Sequence, residues 1–491
     1  MNISCGLRVG VAGFVVCVGF AGLVGARAGA QAAKAEPTVE SVMLSDLHLD
    51  PFHDPAKAPL LIKADLAAWP GILGGPDSAT QAADFAAVQK ACKAKDTFDS
   101  PYKLLASALE TAKAKAPGAR FVTVSGDLLV HDFDCRYRAA LKLPKNTNDD
   151  ESVSADFAAE TTAFVMGQVE AAFKGMPVYL ALGNNDSRCN HNRLDVGDDY
   201  LKRTAQTATA GLVGVSEAER KAALATYLSS GYYGVTMAAP MKRTRLLVVD
   251  DIYMISKFSS CEGDKADHKG ADEQIAWLTK ELDAAKKQGE RVWVLGHLPP
   301  GENAFSTLAQ GPALCTTGSP VMFLSTDELG NALASHADVV KLGLFGHTHM
   351  DEMHLVGDKG ADVPLKVVAS VTPVDGNAPS FAVGKVSPAS ATLVDYTVYS
   401  ASNFTGEGTT WSREYKFGET YHEANFTASS LEALIGRFHA DKDGSGAESK
   451  AYMKYYFKGG DNSELAPFWQ GYVCTMDHTT AAGFKGCVCG K

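Results

Sequence analysis

The sequence predicts an α/β fold, and three observations carry that expectation. Short runs rich in β-branched residues recur at Val39–Leu44, Phe121–Val124, Val178–Leu180, Arg245–Val249, Val292–Leu295 and Lys341–Phe345. Helical patterns alternate with them at Tyr102–Lys115, Ala159–Phe173, Glu217–Leu228 and Glu273–Lys287. Three later strand-like runs, Lys366–Ser370, Phe381–Val386 and Ala391–Tyr399, follow with no long helix between them.

An apolar run without alternation reads as a strand covered on both faces, and intervening helices supply the cover. Strand and helix in turn give an α/β core. The closely spaced late strands imply that part of the sheet is antiparallel. From about Ser400 the character changes: Glu414–Tyr421 is aromatic and charged, Leu431–His439 reads as helix, and the chain ends in cysteines. A core over residues 37–400 and a helical, cysteine-containing extension over residues 401–491 are expected. Within the extension, Asp441-Lys442-Asp443-Gly444-Ser445-Gly446 resembles the start of an EF-hand loop. Its twelfth position is Tyr452 where a bidentate Glu belongs, so a helix-ending turn is expected there.

The chain has 491 residues, 46% of them apolar and 21% charged, with a formal net charge of −11. The Gly and Pro content is too low for a collagen-like or low-complexity chain. The acidic balance argues against a protein that wraps nucleic acid. A soluble enzyme is left.

Residues 1–30 read as a signal peptide. Arg8 supplies the positive start, Val9–Ala26 is uncharged and apolar, and Ala28-Gly29-Ala30 offers small residues for cleavage before Gln31. A retained anchor is the alternative, but the run barely reaches spanning length and is rich in glycine. No later stretch is apolar enough to span, so a secreted or periplasmic protein without a transmembrane segment is expected. Beyond the leader lie Cys92, Cys135, Cys189, Cys261, Cys315, Cys474, Cys487 and Cys489. In an exported chain these suggest up to four disulfides, among on the order of a hundred possible pairings. A zinc site at Cys487-Val488-Cys489 ranks lower, because no second ligand pair lies close by.

The chemistry lies at the ends of the strands. Asp46-Leu47-His48 follows the first, and Gly126-Asp127 with His131-Asp132 follows the second. Gly183-Asn184-Asn185-Asp186, Gly296-His297 and Gly346-His347-Thr348-His349 follow later ones. Open α/β sheets place ligands at this end. The oxygen and imidazole donors suit zinc, manganese or iron, and together could hold two cations. In extended backbone, residues two apart project the same way, so Asp46 and His48 can grip one ion. Asp127 has two oxygens and can bridge, while Asn184 adds a neutral carbonyl that limits negative charge. Two ions roughly 3.5–4 Å apart could clamp an in-line displacement at phosphorus and ionise a water near neutral pH. Singly such motifs are weak; five in order after apolar runs are a strong signal.

These residues resemble the pattern of the calcineurin-like metallophosphoesterases: Asp-x-His, Gly-Asp, Gly-Asn-His-Asp/Glu, Gly-His and Gly-His-x-His. Within that superfamily the chain resembles the acid sphingomyelinase-like phosphodiesterases over roughly Val39 to Tyr399. The supporting segments are Ser45–Pro51, Asp99-Ser100-Pro101-Tyr102, His131-Asp132, Gly296–Gly301, Asp351-Glu352, Val371-Thr372-Pro373 and Asn377-Ala378-Pro379. The resemblance implies a four-layer sandwich of two mixed sheets between helices. It also implies one metal on Asp46, His48, Asp127 and His349, and another on Asp127, Asn184, His297 and His347. Zinc is the first expectation, manganese or iron the alternatives. His131 matches a histidine placed to give a proton to the leaving alkoxide. Asn185 departs from the pattern, which has His there; it can donate a hydrogen bond to a phosphoryl oxygen but no proton. A lipid-handling domain ahead of the core, as in acid sphingomyelinase, is not evident.

The expected activity is hydrolysis of phosphodiester, phosphomonoester or anhydride bonds in small soluble substrates such as nucleotides. Sphingomyelin-type lipids and polyphosphate are the rival substrates. A metal-stabilised binding protein with little turnover is the reading from another class.

Overall fold

The computed structural model describes residues 36–94, 97–146, 152–189, 191–241, 243–261, 268–357, 362–457 and 465–490. The expected leader lies outside the described residues. Among the described residues, twelve strands form two six-stranded mixed sheets. The first five strands are β1 Val39–Leu44, β2 Ala119–Ser125, β3 Val178–Ala181, β4 Tyr233–Thr236 and β5 Thr244–Val248. Then come β6 Arg291–Leu295, β7 Val340–Phe345, β8 Glu352–Val356, β9 Val363–Val367, β10 Ser380–Ser387, β11 Thr392–Ala401 and β12 Trp411–Lys416.

One sheet runs β12-β11-β10-β1-β2-β3 and the other β4-β5-β6-β7-β9-β8. The parallel pairs are β1 with β2 and β2 with β3, which runs out to one edge of its sheet, and β5, β6, β7 and β9 in succession. Antiparallel strands extend the flanks, β10 to β12 in one sheet and β4 and β8 in the other. The apolar runs are the parallel strands, and β3 is buried along its whole length. The sheets pack face to face through Phe121 of β2 against Trp293 of β6, ring centroids 5.7 Å apart. Tyr233 of β4 bonds both backbone groups of Leu180 on β3 at 3.0 Å. Trp293 Nε1 donates to the Ala391 carbonyl at 2.7 Å, which satisfies a buried indole N–H.

Helices cover the outer faces. Tyr102–Lys115 buries Leu104, Leu105, Ala108, Leu109 and Ala112, a stripe at helical spacing, and is positively charged in its last turn. Lys269–Gln288 buries Leu278, Leu282 and Ala285 and ends at Gly289, whose φ of 63° closes the helix. This is the four-layer arrangement expected from the resemblance.

Three local differences have physical reasons. The strand expected over Lys366–Ser370 stops at Val367, because the backbone then turns to donate from Val371 and Thr372 to the carbonyls of Ser45 and Asp46. Tyr233–Thr236 is a strand whose side chains alternate between buried and half-buried, too short to stand out in sequence. Within the C-terminal stretch, Trp411–Lys416 adds an edge strand by burying Trp411 and Tyr415, and helices begin only at Phe417.

The extension is helical beyond that point: Ala428–Ala440, Ala447–Tyr456, Trp469–Asp477 and Ala481–Cys489. The EF-hand-like segment is the expected turn. Asp441 accepts from the Gly446 N–H, Asp443 accepts from the Ser445 N–H, and Gly444 takes φ 67°. The cysteines form four disulfides: Cys92–Cys135, Cys189–Cys261, Cys315–Cys489 and Cys474–Cys487. Among the described residues, no helix is long and apolar enough to cross a membrane.

Candidate active site

The loops after β1, β2, β6 and β7 meet at one end of the two sheets and are stitched together by backbone hydrogen bonds. Asp46 N–H donates to the Gly126 carbonyl at 3.0 Å and His48 N–H to the Asp127 carbonyl at 3.0 Å. In the other sheet, Gly346 N–H donates to the His297 carbonyl at 2.9 Å. His347 N–H bridges between sheets, 3.2 Å from both Asp46 carboxylate oxygens. Gly126 is required here. A Cβ at Gly126 would lie 2.8 Å from the Gly183 nitrogen and 2.9 Å from His297 Nδ1. Glycine therefore lets two strand ends and an imidazole converge.

Asp46, His48, Asp127, His347 and His349 all have positive φ, between 37° and 71°. Left-handed backbone costs a non-glycine residue energy and persists only where surroundings enforce it, commonly at functional sites. The strain aims five side chains into one space.

Asp127 is the hub. Its Oδ2 lies 3.3 Å from His48 Nε2 and 3.3 Å from His297 Nε2. On one side of it, His48 Nε2 is 3.8 Å from Asp46 Oδ1, and His349 Nε2 is 3.4 Å from that same oxygen. On the other side, Asn184 Oδ1 is 3.0 Å from His297 Nε2 and 2.8 Å from His347 Nδ1. All seven residues expected to hold metal are thus brought together, in two groups joined by Asp127.

The donor set fits divalent cations. His48 Nδ1 donates to the Leu129 carbonyl at 2.6 Å, which leaves Nε2 with a lone pair, buried and without a hydrogen-bond partner. His297 Nδ1 donates to the Ser125 carbonyl at 2.7 Å, so its Nε2 lone pair faces the oxygens of Asn184 and Asp127. His349 Nδ1 lies 2.9 Å from Asp375, leaving Nε2 toward Asp46. Lone pairs and carboxylates crowded together need positive charge between them. Second-atom anchoring, seen at His48, His297 and His349, is what metal-ligating histidines show.

Without metal, protons supply that charge. Burial pushes His297 down, but Asp127 outweighs it and holds the imidazole up at about 10. Burial likewise opposes His349, while bonds to Asp375 and Asp46 raise it to about 9. Burial would lift Asp46 and Asp127, yet neighbouring imidazoles, His349 first for Asp46 and His297 first for Asp127, hold both below the usual carboxylate range. His347 goes the other way, to about 3, through burial and the nearby His297. A raised imidazole is protonated at pH 7 and must release its proton to ligate. Zinc uptake at pH 7 should therefore release protons. Apparent affinity should climb with pH through about 9 to 10, where His349 and His297 deprotonate unaided, and His48, which burial lowers but Asp127 holds up, must lose its proton as well. Calorimetric titration in buffers of differing ionisation enthalpy measures this; heats independent of buffer would contradict it.

His131 stands beside this pair of groups and is 29% exposed. Its ring stacks on His48 with centroids 4.2 Å apart, and its Nδ1 lies 3.0 Å from Asp99. Asp99 also accepts from the His131 N–H and from Thr372. Burial raises the Asp99 carboxyl, but His131 outweighs it and keeps Asp99 ionised. Asn185 turns elsewhere. Its Nδ2 donates to Asp127 Oδ2 at 2.7 Å and its N–H to Asp127 Oδ1 at 2.8 Å, so its amide steadies the hub carboxylate.

Several supporting residues carried no role in the sequence reading. Asp186 accepts the N–H groups of Leu128, Leu129 and Gly183, and Asp251 accepts those of His297 and Leu298. Asp186 was visible within its motif, and Asp99 within Asp99-Ser100-Pro101-Tyr102; Asp251 and Asp375 gave no signal. His191 gave none either, yet Asn184 Nδ2 donates to its Nδ1 at 3.0 Å. That bond fixes the amide so that Oδ1 faces His297 and His347. Replacing His191 by Leu should weaken metal binding on the Asn184 side by about 10–100-fold, while Gln, which can still accept, should restore it. Manganese titration followed by electron paramagnetic resonance measures this; equal affinity in the Leu variant would remove His191 from this role.

With this geometry the chain compares as follows. No protein-family model matches it. It is similar along most of its length to several phosphodiesterases. One is acid sphingomyelinase-like phosphodiesterase 3b of Homo sapiens, 25% identical over 426 residues, covering 84% of this chain and 82% of that one. Another is the cyclic GMP-AMP phosphodiesterase SMPDL3A of Mus musculus, 26% identical over 464 residues, covering 90% of this chain and 89% of that one. Among solved structures, a dimetal phosphatase from Danio rerio aligns over 74% of this chain and 96% of its own, with 13% identity and a TM-score of 0.40.

Proposed function

We propose that the protein is an exported phosphoesterase that uses two divalent cations to hydrolyse phosphoester bonds of small soluble substrates such as nucleotides. Asp46, His48, Asp127 and His349 would hold one cation; Asp127, Asn184, His297 and His347 would hold the other. The observation that carries this is Asp127 Oδ2, equidistant at 3.3 Å from an imidazole of each group. When bound, the cations supply positive charge against a phosphoryl group and bring the pKa of a water toward neutrality, from about 15.7.

The chain's own residues do the rest. Asn185 and the Asp186 carboxylate, which accepts from the Leu128 and Leu129 N–H groups, hold the Asp127 loop in place. Asp99 keeps the His131 ring in one orientation with Nε2 turned away from it, so that a proton can be given to a departing alkoxide. The side chains anchored on backbone carbonyls need little reorganisation as charge develops. Four disulfides support export. The names of the relatives support a phosphodiester over a monoester.

The test is metal analysis of the purified chain together with hydrolysis of bis-p-nitrophenyl phosphate. At least two ions per chain with turnover are expected; stoichiometric metal without hydrolysis would favour a binding protein. Rates on a nucleotide phosphodiester, a choline phospholipid and polyphosphate then rank the substrates, with the nucleotide expected first.

A further inference from the structure

A second gathering of metal-type donors lies on the C-terminal helices and takes no part in the chemistry above. His439 is near the end of helix Ala428–Ala440, Asp477 ends helix Trp469–Asp477, and His478 caps it. His439 Nε2 lies 2.9 Å and 3.1 Å from the two Asp477 oxygens, and His478 Nδ1 lies 2.6 Å from one of them. The three side chains are between 25% and 37% exposed, so an ion can reach them from solvent.

The scaffold around them is fixed. The Cys474–Cys487 disulfide joins helix Trp469–Asp477 to helix Ala481–Cys489, and Cys315–Cys489 ties the latter to the turn Gly311–Cys315. Cys487 Sγ comes within 4.8 Å of donors from His439 and His478, but as half of a disulfide it is no thiolate ligand. Two imidazoles and one carboxylate are the donors of a borderline cation such as zinc. Ligands on a tetrahedral zinc at about 2.0–2.1 Å stand roughly 3.3 Å apart, close to the 2.6–3.1 Å between Asp477 and each imidazole, and donors of His439 and His478 lie within 4.8 Å of each other.

We propose that His439, Asp477 and His478 bind one zinc-class divalent cation, which clamps helix Ala428–Ala440 to helix Trp469–Asp477. The clamp bears on the rest of the molecule through His354 of β8, whose Nδ1 bonds the Thr475 carbonyl at 2.9 Å, two residues before Asp477. β8 directly follows the loop that carries His347 and His349. The ion thus stiffens the layer on which that loop rests.

Zinc titration of the full chain at pH 7.5, with ions counted after desalting, tests this. The variant carrying His439→Ala and His478→Ala should retain one ion fewer per chain than the wild type. Zinc should also raise the melting temperature of the wild type more than that of the variant. Should the double variant fail to fold, Asp477→Asn is read in the same assay with the same expectation. Equal ion counts in wild type and folded variant overturn the proposal. The difference is read whether or not the Asp127 centre binds metal, and Asp127→Asn should keep this ion, so the two readings fail separately.

Discussion

Replacing Asp127 by Asn should reduce hydrolysis to the level of a metal-stripped control and lower the ions retained around Asp46 and Asn184 together. Asparagine matches the shape of aspartate but removes the charge that both groups share. It leaves one neutral oxygen where the two cations, one on the His48 side and one on the His297 side, would share a charged carboxylate. Its NH2 would also oppose a donor, because Asn185 approaches Asp127 with its amide nitrogen and its backbone N–H. Losing a bridging carboxylate therefore weakens both ions, whereas losing a terminal ligand such as His349 should mainly weaken one. The variant's metal-free form should hold fewer protons at neutral pH, since Asp127 is what lifts His297 to about 10. Metal analysis, hydrolysis rate and thermal unfolding check this. A variant with the wild-type ion count and wild-type turnover would show that the hub is not where the chemistry is organised.

The strand ends were legible because chemistry and fold coincide there. An apolar run buried on both faces leaves a plain trace, and a polar cluster just beyond it can only lie at a sheet end. Asp46, His48, Asp127, Asn184, His297, His347 and His349 could therefore be picked out one by one. Their partners could not. Asp375 meets His349 because the backbone leaves β9 early, which sequence periodicity does not encode. His191 reaches Asn184 through a turn seven residues on, and nothing in Cys189-Asn190-His191 marks it. Asn185 was legible as a departure, but its direction was not. An amide can face substrate or a neighbouring carboxylate, and here two hydrogen bonds to Asp127 decide it. β12 was hidden for another reason: at an edge, only Trp411 and Tyr415 need burial, so the pattern is too sparse to read as a strand.

Changing His131 to Ala should cost about 10²-fold or more in turnover on a substrate with an alkyl leaving group, the usual scale for losing a general acid. The same variant should lose far less on bis-p-nitrophenyl phosphate, because a nitrophenolate departs without being protonated. This split separates proton donation from positioning, which would slow both substrates alike. The geometry favours donation. Asp99 engages Nδ1, the ring lies flat against His48 at 4.2 Å, and no hydrogen bond within the chain occupies Nε2 among the described residues. Changing Asp99 to Asn should reproduce part of the loss, since the amide offers the ring one acceptor oxygen where the carboxylate offers two and orients it less firmly. The ion count should stay at the wild-type value in the His131 variant. Equal losses on the alkyl and nitrophenyl esters, with metal retained, would assign His131 to phosphate binding and leave the leaving-group proton to solvent.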